Sequence, residues 1–349
     1  MSAVVDVRQI DAESARDADL WRGYIGERAA TTFFHQLGWK RAIERAFGHA
    51  CPYLLATRAG RPVGVLPLTL VRSRLFGRRL VSTGFAVRAG PIADDATVES
   101  GLLAEARKLA DAAGVGCIEV RAALSERHDR VTRTGFYANF SKRIEPDDDA
   151  NLKAIPRKQR AMVRKGINAG LTSRADHDVD TCHGIYASSV RNLGTPVFPK
   201  AWFRALVAAF PAESEVTTVL APDGEPVAAV LSFFFRDTVL PYYGGGLASA
   251  RRLAANDMMY WEVMRRAAAR GYTEFDFGRS KVDSGAYAFK KNWGFPPEPL
   301  AYSYELVRAT APPDLSPTNP KFATATRLWQ RLPLAVTNTV GPWIARDLA

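Results

Sequence analysis

The sequence predicts a duplicated α/β protein, with two tandem domains built on mixed α+β sheets and a helical tail behind them. Three observations carry that prediction. The 349 residues exceed what one ordinary core needs and suit two. An order of strand, strand, strand, helix, strand occurs twice, at an offset of about 160 residues. Hairpin signals inside each copy make neighbouring strands antiparallel, so the sheets are mixed rather than doubly wound and parallel.

In chain order, residues 4–10 alternate like an opening strand, and an acidic helix follows. Residues 31–47 read as one amphipathic helix with Phe34, Trp39, Ile43 and Phe47 on its apolar face. His35 and His49 flank it and read as structural. Residues 53–57 and 63–71 form a hairpin, and 85–91 a further strand. A helix over 97–113 is stopped by Gly114, and 117–121 is a short strand. The second copy has strands at 216–220, 227–235 and 240–246, a helix over 256–270 stopped by Gly271, and a closing strand at 275–277. Arg61-Pro62-Val63 recurs as Glu225-Pro226-Val227, and Gly114 with Glu119 recurs as Gly271 with Asp276. The expected domains are 1–146 and 147–308, with a Pro-rich linker and amphipathic tail over 309–349.

Composition narrows the class. Apolar content of 47% and charged content of 24% are those of a soluble globular protein. A net charge of +11 implies polyanionic partners: phosphates, nucleic acid or an anionic membrane surface. Cys51, Cys117 and Cys182 are isolated, with no metal-ligand or redox spacing, which fits a reduced cytoplasmic setting and no metal. The acidic N-terminus does not read as a signal peptide, and no apolar run is long enough to span a bilayer. The tail mixes Leu328, Trp329, Leu332, Trp343 and Ile344 with Arg327, Arg331 and Arg346. That mixture suits a membrane interface, and equally a helix docked on the protein's own body.

Two stretches concentrate cations. Residues 275–295 read FDFGRSKVDSGAYAFKKNWGF: a strand, a loop opened by Gly278, a short helix over 286–292 and a stop at Gly294. This unit places Arg279, Lys281, Lys290 and Lys291 beside a strand end, where they suit an anionic substrate or a developing negative charge, or form a solvated turn. Asp276 reads either as a proton acceptor or as a carboxylate paired to Arg279. The second stretch, 151–175, holds no acid. Lys153, Arg157, Arg160 and Arg164 are spaced by four, three and four, which puts them on one helix face with Pro156 in the first turn. Lys158 and Lys165 lie one residue round. Stacked like charges repel, so the stripe implies a bound phosphate or, failing that, a solvated linker face. Upstream of the first stretch, Tyr242-Tyr243-Gly244-Gly245-Gly246 ends a strand whose glycines either let a ligand approach the backbone or form a turn.

The duplication, the tract PRKQRAMVRKGINAGL and the block FDFGRS…GAYAFKKNWGF together resemble the FemABX family, acyltransferases built from two copies of the GNAT (N-acetyltransferase) fold. The nearest likeness is to FemAB-like proteins associated with exosortase/PEP-CTERM and exopolysaccharide systems. The resemblance covers about residues 30–308. It implies an acyltransferase that moves an aminoacyl or acyl group to an amine or hydroxyl of a phosphate-containing cell-envelope precursor, of peptidoglycan or exopolysaccharide; the alternatives are an acyl-CoA-dependent N-acetyltransferase acting on a sugar or peptide amine, and a non-catalytic GNAT-fold module that binds RNA or anionic lipid. It also implies a donor, aminoacyl-tRNA or acyl-CoA, rather than a tightly bound cofactor. Lys290 stands where the family's lysine is thought to stabilise the tetrahedral intermediate, with Lys291 as second candidate. Arg157, Arg160, Arg164 and Lys165 are then the phosphate grip, joined by Arg279, Lys281, Tyr242, Tyr243, Gly244 and Gly245 around the transferred group. Arg251 and Arg252 supply the cations of a GNAT pyrophosphate loop without its glycines, and Asn256 or Asp257 is the expected cap of the helix behind them. The family's long helical-hairpin arm is missing. The expected setting is cytoplasmic, with the tail as the segment for peripheral contact at the inner membrane.

Overall fold

The computed structural model describes residues 4–74, 76–124, 130–313 and 323–348. They divide into two compact units: 1–134 with 300–315 and 346–349, and 135–299 with 316–345.

The first unit runs β1 (Val5–Gln9), α1 (Ala15–Glu27), α2 (Leu37–Phe47), β2 (Leu54–Arg58), β3 (Arg61–Leu66), β4 (Thr69–Ser73), β5 (Gly77–Val81), β6 (Ile92–Ala93), α3 (Ala96–Ala113), β7 (Cys117–Val120) and β8 (Arg130–Arg133). One sheet has the order β1-β2-β3-β6. The other has β4-β5-β7, then the distant strand Tyr302–Leu306, then β8, with β5 and β7 parallel. Asp95 caps α3 by accepting from Val98 N at 2.9 Å, and Gly114, at φ 62°, stops it as the sequence predicts.

Three expectations change here. The helix over 31–47 is a short 3-10 turn, Phe33–His35, followed by α2, because Gln36 is extended at ψ 143°. The strand over 63–71 breaks at Pro67, which lacks a ladder donor, into β3 and β4 of different sheets. Residues 85–91 are not a strand: Phe85 sits at φ 62°, and the strand is β5, upstream.

The second unit runs β9 (Tyr137–Arg143), α4 (Asp148–Ala154), α5 (Arg157–Asn168), β10 (Thr172–Asp176), α6 (Val179–Asn192), α7 (Lys200–Ala209), β11 (Ser214–Leu220), β12 (Pro226–Phe235), β13 (Thr238–Gly246), α8 (Ala248–Leu253), α9 (Ala255–Ala269), β14 (Glu274–Asp276), β15 (Ser280–Lys281), α10 (Gly285–Asn292), β16 (Pro297–Pro299), α11 (Ala323–Arg331) and α12 (Leu334–Ala345). Its sheet has the order β10-β11-β12-β13-β14-β9-β15, with β16 also on β9. The parallel pair β13/β14 joins only Thr238 to Glu274 and Val239 to Phe275. Beyond that pair β13 runs on with β12 to Gly246, while β14 stays with β9, so the two strands part. The parallel pair β5/β7 of the first unit stands about 160 residues earlier, which is the duplication seen in hydrogen bonds.

Each sheet is completed by an antiparallel strand from beyond its own copy. Tyr302–Leu306 pairs with β7, and β9 pairs with β14. The division therefore falls at 134/135 and 299/300, where the sequence placed it after 146 and 308. The ladder partner of a strand, not its place in the chain, decides which core its side chains enter. Of the expected linker 311–320, residues 314–320 lie outside the described residues.

Candidate functional site

The turn after β14 builds the first cluster. Phe275 and Phe277 are buried, with Phe277 4.6 Å from the Phe295 ring, and they anchor both ends of the block. Between them Asp276 accepts from Asn139 Nδ2 at 3.0 Å and from Gly278 N at 2.8 Å. Gly278 takes φ 68° to make that bond, a conformation in which a Cβ is strained. Ser284 caps α10 by accepting from Tyr287 N at 3.2 Å. Gly294, at φ 80°, ends the turn, and a Cβ there would stand 2.9 Å from Pro156. The Trp293 indole donates to Asp257 at 3.0 Å, and Gln159 of α5 donates to the same carboxylate. Asp257 thus ties α9, α5 and the end of α10 together, and burial raises its pKa.

Lys290 points from α10 back at the loop. Its Nζ donates to three successive carbonyls, Phe277 O at 2.7 Å, Gly278 O at 3.0 Å and Arg279 O at 3.1 Å. It also lies 5.6 Å from the Phe140 ring centroid. Three bonds use all three ammonium protons. Burial pulls its pKa down to about 7; the charge of Asp276 opposes the shift and that of Arg279 adds to it. The Arg279 guanidinium lies 4.7 Å over Tyr137, and Lys281 Nζ 4.6 Å from the Phe136 ring. Asp276, Arg279 and Lys290 are therefore brought together, with Lys281 beside them. Lys291 is exposed and makes none of the contacts given for the cluster.

The glycine strand departs from its expected role. A Cβ on Gly245 would meet Ser189 of α6 at 2.5 Å, and one on Gly244 would meet Val230 at 3.0 Å. On Gly246 it would clash with Asn256. The space beside these glycines is filled by the protein's own side chains, so their small size serves close packing rather than an open approach. Tyr243 is likewise a core residue: it is buried, and its hydroxyl accepts from the Trp202 indole at 3.0 Å. Tyr242 is the extra residue where the β12/β13 register shifts, half-buried against Phe233. Neither Asn256 nor Asp257 caps α9; Ala254, left-handed at φ 58°, precedes it with no side-chain cap. A cavity of about 490 Å³ opens at this end of β13, lined by Gly246, Leu247, Arg251 and Asn256 with Ser189 and Asn192 of α6. Arg252 is exposed and lies outside that lining.

The basic stripe is shorter than its spacing implies. Ile155 before Pro156 is extended at ψ 131°, so α4 ends and Pro156 becomes the N-cap of α5. Lys153 lies on α4. Arg157, Arg160, Arg164 and Lys165 share α5 and line a cavity of about 790 Å³. Val163 and Gly166 face the other way, onto the core, with Gly166 closely packed on Met258 of α9. Among the described residues none of these four cations has an ion-pair partner, and Arg160 Nε is buried without an acceptor. The two cavities share no lining residue.

Sequence reasoning missed Asn139 and Tyr137, which come from β9, more than a hundred residues before the block they serve. Strand pairing brings them there, and no local motif marks it. Among the described residues no group of three or more His, Cys, Asp or Glu is placed to hold a metal.

Residues 153–291 match the family described as Acetyltransferase (GNAT) domain. That stretch lies in the second unit and contains the α5 stripe together with Asp276, Arg279 and Lys290. Among solved structures the chain is similar to FemX, at a TM-score of 0.68 and 14% identity, covering 87% of this chain and 98% of that one. It is similar to a tandem GNAT protein from the clavulanic acid biosynthesis pathway, at 0.56 and 12%, covering 89% and 100%. It is also similar to L-PGS from Bacillus licheniformis, at 0.56 and 12%, covering 93% and 99%. At such identities the likeness is one of fold, and that fold is the tandem GNAT architecture. No curated protein sequence matches the chain.

Proposed function

We propose that the protein is a FemAB-like acyltransferase that moves an aminoacyl or acyl group onto an amine or hydroxyl of a phosphate-containing cell-envelope precursor. The observation that carries the reading is the α5 face: Arg157, Arg160, Arg164 and Lys165 line one cavity with no counter-acid, inside the stretch that matches an acetyltransferase domain. A planar guanidinium binds a phosphate through two parallel hydrogen bonds, and a diphosphate supplies the charge that neutralises such a stripe. The FemABX-like sequence blocks support the same reading, with a cytoplasmic setting and the exopolysaccharide or peptidoglycan precursor as acceptor class.

In this mechanism the attacking amine loses its proton to Asp276, whose carboxylate is held at the end of β14 by Asn139 and Gly278. Negative charge grows on the carbonyl oxygen of the transferred group beside Lys290 and Arg279; as the tetrahedral intermediate collapses the carbonyl re-forms, the donor's thioester C–S or ester C–O bond breaks, and the departing thiolate or alkoxide takes the proton from Asp276. The longest Lys290 bond, to Arg279 O at 3.1 Å, is the one the oxyanion replaces. The other two keep the ammonium fixed, so little reorganisation accompanies the reaction. Lys291 has no part in it.

The donor is either aminoacyl-tRNA or acyl-CoA. The cavity beside Arg251 and the start of α9 favours acyl-CoA, since a helix N-terminus and an arginine together suit a pyrophosphate. The test is incubation of the protein with acyl-CoA thioesters and, separately, with charged tRNA, each with a nucleoside-diphosphate-linked sugar as acceptor, followed by mass spectrometry of the acceptor. Acceptor mass gain with one donor supports the proposal. No gain with either, while the acceptor still binds, refutes transfer and leaves a GNAT-fold binding module.

A further inference from the structure

The tail helices are docked by the wrong face for a protein that stays in bulk water. α12 buries Thr337, Gly341 and Ala345, spaced by four. Gly341 is pressed to within 3.0 Å of Val197, measured to where a Cβ would stand, and lies beside Trp329 of α11. α11 in turn is set on the end of α6, where Gly194 meets Thr326. The small side chains thus hold the helix to the second unit, and several large ones are left outside. Trp343 is 71% exposed, Val340 43% and Val336 41%, and Leu328 on α11 is 60% exposed. Val336, Val340 and Trp343 recur at four and three residues, which is one continuous helical stripe. A single exposed leucine means little, but an aligned stripe that includes a tryptophan marks a contact surface.

The charge of the tail helices selects the partner. Residues 323–345 contain no acid, and their only cations, Arg327 and Arg331, are exposed and flank Leu328 one turn apart. Neither has an ion-pair partner among the described residues. An apolar stripe with tryptophan on α12, together with exposed unneutralised arginines beside Leu328 on α11, fits the headgroup boundary of an anionic bilayer: the rings and aliphatic chains enter it and the guanidiniums meet lipid phosphates. No helix of the described residues is long and apolar enough to cross a membrane, so the contact lies in the plane of the surface.

We propose that α11 and α12 form a membrane-surface anchor for anionic lipid, which the protein keeps docked and ready rather than folding on contact. This surface does not depend on the acyl-transfer reading. The full chain is sedimented with vesicles of phosphatidylcholine alone and of phosphatidylcholine with phosphatidylglycerol. The expected result is partition to the anionic vesicles only, falling as salt is raised. Arg327→Ala with Arg331→Ala weakens it about 25-fold, at about fivefold for each charge. Trp343→Ser weakens it about tenfold, whereas Trp343→Phe retains it. Because these side chains are exposed, circular dichroism and thermal melting of each variant match those of the parent. Absence of binding to anionic vesicles at low salt overturns the proposal. So does a dimer in light scattering that Trp343→Ser dissolves, since the stripe then belongs to a second copy.

Discussion

The ends of β7 and β14 occupy equivalent places in the two copies, and the sequence puts an acid in both, Glu119 and Asp276. In the first unit that acid is sealed. Glu119 is buried, with Arg121 at 3.0 Å and Arg79 at 3.6 Å. Arg121 is also buried, and it bridges to the neighbouring loop by donating to Ala86 O at 2.6 Å and Thr83 O at 3.3 Å. In the second unit Gly278 stands two residues past the acid, where the first has Arg121. No long side chain fills that place, and the cations come instead from the following loop and helix, half-buried and beside an acid held by neutral donors. One copy uses its strand-end charges to close the sheet. The other leaves them half-buried in a loop, and the difference turns on which residue stands two positions past the acid.

Substitutions at the two ends should separate stability from chemistry. The largest effect is expected for Lys290→Ala, which should lower kcat about 100- to 1000-fold with KM little changed. Steady-state kinetics on the identified acceptor checks this, and parental turnover would remove Lys290 from the reaction. Arg121→Ala should do the reverse, costing about 3 kcal/mol of stability by removing a buried charge partner of Glu119, with kcat of the folded fraction retained. Urea unfolding measures the first and active-site-normalised rates the second. Gly245→Ala should cost about 1–3 kcal/mol because its Cβ meets Ser189, and Ser189→Gly in the same chain should restore most of it. Recovery in the double variant identifies packing, rather than ligand approach, as the reason for the glycine. Arg160→Ala should raise KM for a diphosphate acceptor about tenfold, with kcat unchanged.

The smallest expected effect is with pH. Lys290 titrates near 10.5 in the unfolded chain and about 7 in the folded one. Between those values the folded state binds fewer protons, so this group's contribution to stability rises with pH across that window. Turnover should move the other way, because the three carbonyl bonds and the oxyanion need the ammonium form. A falling limb with an apparent pKa near 7, absent from the residual activity of Lys290→Ala, is the expected rate profile.

Much of this was legible in the sequence because it is local. Hydrophobic periodicity and glycine stops located α3, α9 and α10 within a residue or two, and the recurring order of elements revealed the duplication. The α5 cations could be counted, although Pro156 divides their helix and leaves Lys153 behind. The tail was readable as amphipathic, but either of its faces could have been the docked one. Pairing across long stretches of chain decided the rest. β9 completes the sheet of β14 and Tyr302–Leu306 that of β7, Asn139 reaches Asp276, and three carbonyls converge on Lys290. The glycines of β13 are occupied by side chains from α6 and α9. Such contacts depend on which ladders and close-packed surfaces meet in space, and a residue's immediate neighbours in sequence carry no record of them.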